Sequence, residues 1–169
     1  ALALVKTPPL VIDYDDPQFP QHGERLGEDY ETALAGGDPD FAWMMPADEW
    51  DAIALNYTSG TTGEPKGAVY HHRGAALMGY SNVLAGNMAQ HPVMLWTLPM
   101  FHCNGWCFPW SLSVVAGTHV CLRRVRADAI FAALADHAVT HLCGAPIVMS
   151  TLVNAPAAER RDFSQRVTF

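Results

Sequence analysis

Four hydroxyl residues within five positions, followed by two glycines and a lysine, form the stretch of this sequence best equipped for chemistry. The run is Tyr57-Thr58-Ser59-Gly60-Thr61-Thr62-Gly63-Glu64-Pro65-Lys66-Gly67. Hydroxyl protons rotate to suit phosphate oxygens. The glycines Gly60, Gly63 and Gly67 let the backbone turn tightly and bring its N–H groups close to an anion. Lys66 adds a positive point charge. A flexible polar linker has a similar composition, but this run is boxed in by an apolar strand before it and an apolar helix after it. A P-loop needs Gly, four residues, then Gly-Lys-Ser/Thr. Counted from Gly60, Pro65 stands where the second glycine belongs and Gly67 where the metal-binding hydroxyl belongs, so that motif fails.

A second run, Leu98-Pro99-Met100-Phe101-His102-Cys103-Asn104-Gly105-Trp106, follows a buried strand. His102 sits between aromatic residues in an apolar loop, where it is either a satisfied core histidine or a catalytic one. A zinc reading would draw on His102, Cys103 and Cys107. Closed zinc sites take four ligands, usually as paired short spacings, and Cys121 and Cys143 have no neighbouring ligand, so no metal site is assigned. Trp106, Trp110 and Met149 could line an apolar pocket or serve as core.

The elements that position these runs follow from periodicity. Residues 1–50 are irregular and hold six of the twelve prolines; only Arg25 to Ala35 has helical character, and Ala47 to Trp50 reads as a turn. From Asp51 the pattern becomes regular. Strands are expected at Ile53–Tyr57, Val93–Leu98, Thr118–Leu122 and Thr140–Cys143. Helices are expected at His71–Ala89, Gly105–Val115, Ala127–His137 and Pro146–Val153, the last with proline in its first turn. Strands alternating with helices predict an α/β layered fold, a mostly parallel sheet flanked by helices. The phosphate run then falls between a strand and a helix, at the carboxyl edge of that sheet. Val167-Thr168-Phe169 reads as the start of a further strand, so the domain is expected to continue.

Composition bounds the function. Half of the residues are apolar, which excludes disorder as the default. Ten basic against seventeen acidic residues give a formal charge of −7, which argues against nucleic acid or an anionic membrane as the main partner. Arg73 to Arg123 encloses a stretch without Asp, Glu, Lys or Arg. Polar and proline breaks keep every apolar block in it below the roughly 18–20 residues of a spanning helix. Four scattered cysteines in apolar contexts fit reduced thiols, and with no leader pattern in Ala1 to Leu10 the expected location is cytoplasmic.

The phosphate run resembles the signature of the adenylate-forming superfamily, which includes acyl-CoA synthetases, luciferases and peptide-synthetase adenylation domains. All ten positions from Thr58 to Gly67 agree, with Glu64 at the variable one. The resemblance implies that Thr58, Ser59, Gly60, Thr61, Thr62, Gly63, Lys66 and Gly67 hold the β- and γ-phosphates of ATP while a carboxylate attacks the α-phosphate. The second run resembles the family's Leu-Pro-Met-Phe-His-x-x-Gly/Ala-Trp motif. That implies His102 beside the carboxylate and α-phosphate, with Gly105 opening an acyl tunnel. Gly144-Ala145-Pro146 resembles a strand-to-helix corner that walls the same tunnel, and Trp106 joins the pocket. Lys66 and His102 are thus the expected catalytic residues.

By the same resemblance the chain is part of the large N-terminal domain of an AMP-forming acyl-CoA synthetase. ATP, Mg²⁺ and CoA are the expected cofactors and a short- or medium-chain carboxylic acid the substrate. Residues 51–169 would form a partial AMP-binding subdomain after the irregular lead-in 1–50. No Thr-Glu pair and no Ser/Thr-Gly-Asp run occurs, so the Mg²⁺ ligand, the ribose carboxylate and the small C-terminal domain are expected outside these residues. The chain is then expected to be an inactive fragment that self-associates through exposed apolar surface. The other reading is a non-catalytic phosphate-binding or interaction module from a truncated gene.

Overall fold

The computed structural model describes residues 5–19, 23–58 and 63–169. Two compact units divide the chain, Ala1–Met45 and Pro46–Phe169. In the first, β1 (Ile12–Asp13) pairs in parallel with β2 (Glu28–Asp29), and α1 (Tyr30–Ala35) follows. The helix is shorter than the Arg25–Ala35 expected. Glu28 and Asp29 are taken up by the strand pair, and the Asp29 carboxylate caps the helix by accepting from Thr32 N at 3.0 Å. Asp13 Oδ2 accepts from Leu26 N and Gly27 N, both at 2.7 Å.

The second unit is built on a three-stranded parallel sheet ordered β6-β5-β7. Its strands are β5 (Val93–Trp96), β6 (Thr118–Cys121) and β7 (His141–Cys143). Leu95 on β5 stands opposite Val120 and Leu142; Trp96 stands opposite Cys121 and Cys143. Alternation along β5 sends side chains to two faces. Leu95 joins Ile130, Ala133, Leu134, Val139, Leu142 and Val148 in one core, whereas Met94 and Trp96 join Met88 and Leu112 in another. A strand buried on both faces reads as a continuous apolar run, as Val-Met-Leu-Trp does.

Helices α4 (Phe108–Val114) and α5 (Ala127–Asp136) make the crossovers, and α6 (Pro146–Val153) follows β7. Ile130, Ala133 and Leu134 are the buried stripe of α5, at the i, i+3, i+4 spacing of an amphipathic helix. The strand start expected at 167–169 is present as a parallel bridge from Thr168 to His141, with Leu142 N donating to Thr168 O at 3.0 Å. Among the described residues no helix is long and apolar enough to cross a membrane.

The phosphate run and the backbone ahead of α4 depart most from the sequence expectation. The phosphate run does not pass from strand to helix. It joins β3 (Ala52–Thr58) to β4 (Lys66–His71), which pair as an antiparallel hairpin, and α2 (His72–Ala85) comes only after β4. Pro65 sits just before β4, where its missing N–H costs no ladder bond, and Val69 and Tyr70 favour the strand that follows. Nor is the run boxed in by buried structure, since Leu55, Tyr57 and Val69 on the hairpin are exposed. Helix α2 ends at Ala85 instead of Ala89 because Gly86 caps it and Asn87 takes φ +47°. The second difference, the backbone ahead of α4, belongs to the site.

Candidate functional site

At the loop end of the hairpin Thr58 and Lys66 are paired across the two strands. The Thr58 hydroxyl lies 3.5 Å from Lys66 O, and both residues are exposed. A hydroxyl and an ammonium are therefore presented at the same end of one hairpin, the donor set that phosphate oxygens require. Gly63 has open space around it, whereas a Cβ at Gly67 would come 2.9 Å from Leu55 Cδ1. Ser59, Gly60, Thr61 and Thr62, also assigned to phosphate, lie outside the described residues.

Strand β5 ends at Trp96, and Thr97 ties the strand end to the sheet by donating its hydroxyl to Cys143 O. The chain then runs through Leu98-Pro99 to His102, whose N–H donates to Pro99 O at 3.1 Å. Beyond it lies α3 (Cys103–Trp106), a single turn wound the wrong way. Cys103, Asn104, Gly105, Trp106 and Cys107 have φ of 48°, 42°, 55°, 54° and 63°. Four of these carry side chains, and each such residue costs roughly 1–2 kcal/mol relative to the right-handed form. Strain of this kind persists only where surrounding contacts over-determine it, and it gathers at functional sites. The expected helix over Gly105–Val115 accordingly starts only at Phe108, with Pro109 in its first turn.

The left-handed turn separates two clefts. His102 and Trp106 line one of about 450 Å³ together with Ala145, Ile147, Val148 and Thr151. It lies beyond the carboxyl ends of β5 and β7, where parallel α/β sheets bind their ligands. Trp106 also lines the other cleft, of about 420 Å³, with Tyr70, His71, Asn82, Cys103 and Cys107. The strand that carries Lys66 at one end thus meets the His102 turn at its other end. Burial pushes the Tyr70 hydroxyl up, with the neighbouring thiols of Cys103 and Cys107 adding to it. Burial also pushes the Cys107 and Cys143 thiols up, which disfavours their thiolates.

Of the pocket residues read from the sequence, His102, Trp106 and Ala145 come together in one cleft. Pro146 opens α6. Gly144 serves the approach of β7 to α6, since a Cβ there would fall 2.8 Å from Val148 Cβ. Gly105 is buried, and a Cβ on it would meet Trp96 Cζ3 at 2.8 Å before anything else. Sequence reasoning missed Ile147, Val148 and Thr151. Their spacing from the Gly144-Ala145-Pro146 corner, on one side of the helix it starts, was the available signal. Trp110 lies against α2, its Cβ 3.5 Å from where a Gly79 Cβ would stand. Among the described residues no three His, Cys, Asp or Glu side chains gather so as to hold a metal ion.

Comparison with known proteins finds relatives along most of the chain. The family model for AMP-binding enzymes matches residues 3–169. A peroxisomal acetate/butyrate–CoA ligase of Arabidopsis thaliana is 59% identical over 76% of this chain and 22% of its own length. An acetate–CoA ligase of Humulus lupulus is 48% identical over 91% of this chain and 28% of its own. The chain therefore spans about a quarter of the length of these relatives. Among solved structures, ATP-bound MatB from Rhodopseudomonas palustris superposes with a TM-score of 0.65 at 28% identity, over 75% of this chain and 25% of that one. The cytoplasmic expectation is overturned, because the Arabidopsis relative and others among the matches are named peroxisomal. Sparse reduced thiols suit a peroxisomal protein as well as a cytosolic one, so cysteine usage had no power to separate them.

Proposed function

The chain belongs to the AMP-binding enzyme family, and we propose that the protein containing it activates a short-chain carboxylic acid with ATP and transfers the acyl group to CoA. The observation that carries this reading is the cleft that joins His102, Trp106 and Ala145 beyond the carboxyl ends of the parallel strands. It is apolar where a short hydrocarbon would lie and has one imidazole at its edge. The similarity to an acetate/butyrate–CoA ligase and an acetate–CoA ligase supports an acid of that size.

In the first step a carboxylate oxygen attacks the α-phosphorus of ATP, the bond to the β-phosphate oxygen breaks, and pyrophosphate leaves. Lys66 and Thr58, with the hydroxyls and N–H groups between them, hold the departing phosphates, and charge developing there is met by Lys66. His102 orients the carboxylate and α-phosphate, and its neighbours Trp106 and Ala145 bound the acyl chain, with Gly105, Gly144 and Pro146 shaping the two turns that form the walls. In the second step the CoA thiol replaces AMP on the acyl carbon. Most of this catalysis is positioning and charge stabilisation. Mg²⁺ would accompany the triphosphate and offset its charge, as the resemblance to adenylate-forming enzymes implies. No protein ligand for it is assigned in these residues.

Single-turnover kinetics on the full-length enzyme test the reading. Acetate and butyrate should drive pyrophosphate release. Lys66→Ala should slow acyl-adenylate formation by about a hundred- to a thousandfold, the loss of one transition-state donor, and affect the thioester step less. A full-length enzyme that releases no pyrophosphate with any short acid would remove the reading, and an unchanged adenylation rate in Lys66→Ala would remove Lys66 from the site.

A further inference from the structure

The strained turn after His102 is gripped from two sides. From α2, Asn82 Nδ2 donates to Trp106 O at 2.8 Å and to the Ser111 hydroxyl at 3.2 Å. Ser111 is fully buried and passes its own proton to Cys107 O at 3.1 Å, so the last two carbonyls of the turn are bound to one side-chain network. From the sheet, the indole of Trp96 lies under the turn. Its Cζ3 and Cη2 edge fills the space a Cβ on Gly105 would need, at 2.8 and 3.0 Å. The opposite end of that indole is fixed as well, because Trp96 Nε1 donates to His119 Nδ1 at 2.9 Å and the two rings are parallel to within 1°. Trp96 is a rigid strut from His119 on β6 to Gly105, and it cannot tilt without losing the hydrogen bond of its buried N–H to His119.

We propose that Asn82 and the Trp96–His119 pair are positioning residues for the acid-activating step. They hold the left-handed turn, and the turn sets where His102 and Trp106 stand in the cleft. Four side-chain-bearing residues at positive φ would relax toward right-handed backbone if released. His102 N and Gly105 N bond to backbone within this loop, to Pro99 O at 3.1 Å and to His102 O at 2.9 Å, so relaxation of the turn moves His102 with it. Neither Asn82 nor the Trp96–His119 pair lines the His102 cleft; each acts through the turn.

The inference rests on the acid site proposed above, and its test keeps the two apart. In the full-length enzyme, His119→Ala and Asn82→Ala should each slow single-turnover adenylation by about ten- to a hundredfold, the scale of a small misplacement of reacting groups. The KM for ATP should stay near the wild-type value, since the phosphate hairpin is untouched. His119→Asn puts an amide oxygen near the place of Nδ1 and should recover most of the rate. A second readout needs no activity. In isotope-labelled enzyme, His119→Ala should move the indole N–H resonance of Trp106 as well as that of Trp96. Wild-type adenylation rates in both alanine variants, or a Trp106 resonance that stays in place when Trp96 moves, would overturn the proposal. So would a His119→Asn enzyme as slow as His119→Ala at an unchanged melting temperature. A wild-type enzyme that makes no adenylate would defeat the proposed function, and the Trp106 resonance would still decide the positioning claim.

Discussion

Gly105 has two independent reasons to be glycine, and they make a prediction that differs from a simple pocket-opening role. Its φ of +55° disfavours any side chain, and its missing Cβ is where the Trp96 ring edge sits. Gly105→Ala should therefore destabilise the enzyme by about 2–5 kcal/mol, the sum of left-handed strain and overpacking. Because the new methyl lands on Trp96, adenylation rates with short and long acids should fall together. A denaturant melt and a rate series across straight-chain acids check both parts. Selective loss of long acids at full stability would show that position 105 faces the hydrocarbon directly. Little in Cys-Asn-Gly-Trp-Cys foretells this geometry. Asn-Gly signals a turn, but five consecutive residues at positive φ have no sequence signature, because tertiary contacts from Asn82 and Trp96 hold them there. The run that carries His102 into the cleft was visible in the sequence as a motif; the supports beneath it were not.

Among the elements, β5, β6, β7, α5 and α6 lie where their apolar runs place them, because a buried strand or an amphipathic stripe writes its period directly into the chain. The hairpin β3–β4 was hidden for a physical reason. Lys66-Gly67 opens its second strand, and both residues read as loop, while the pairing that makes them strand comes from Tyr57 and Thr58 across the hairpin. Helix α5 is also tied to the chain after α6 by a forked pair. Arg161 donates to the two oxygens of Asp136 at 2.8 and 2.7 Å. The Arg161 guanidinium, first through these hydrogen bonds and then through its charge, holds the Asp136 carboxyl below the ordinary value of 3.8. A carboxylate depressed in the folded state adds stability above its unfolded pKa and loses it as pH falls through the folded one. Arg161→Ala should accordingly lower the melting temperature slightly at pH 7, and the gap to wild type should close as pH drops below the ordinary carboxylate range. Both partners are about half exposed, so salt should shrink the gap as well. A difference that persists at acid pH would mean that Arg161 acts through packing.

On the scale of the whole molecule, the described surface is more apolar than a self-sufficient unit needs. Leu55, Tyr57 and Val69 of the hairpin and Leu77, Tyr80 and Leu84 of α2 are exposed. Asn56 Nδ2, by contrast, is buried without a hydrogen-bond partner. An unpaired buried donor costs about 1–3 kcal/mol, and contiguous exposed apolar surface marks a place where more protein sits. These 169 residues cover 22% and 28% of two ligases they resemble. Adenylation needs the triphosphate, its metal and the carboxylate aligned together, and that alignment supplies most of the rate. The described residues offer a hairpin end with Thr58 and Lys66 and a cleft with His102. Exposed triphosphate contacts of this kind are individually weak and screened by salt. Produced alone, the 169-residue chain should bind ATP no better than about millimolar, equivalent to roughly −4 kcal/mol. It should release no acid-dependent pyrophosphate, and its uncovered hairpin and α2 faces should pair with other copies, giving dimers or larger species. Pyrophosphate release measured with acetate, butyrate and longer acids, alongside light scattering of the purified chain, tests all three. Robust acid-dependent release from a monodisperse monomer would show that the hairpin and the His102 cleft are sufficient for catalysis by themselves.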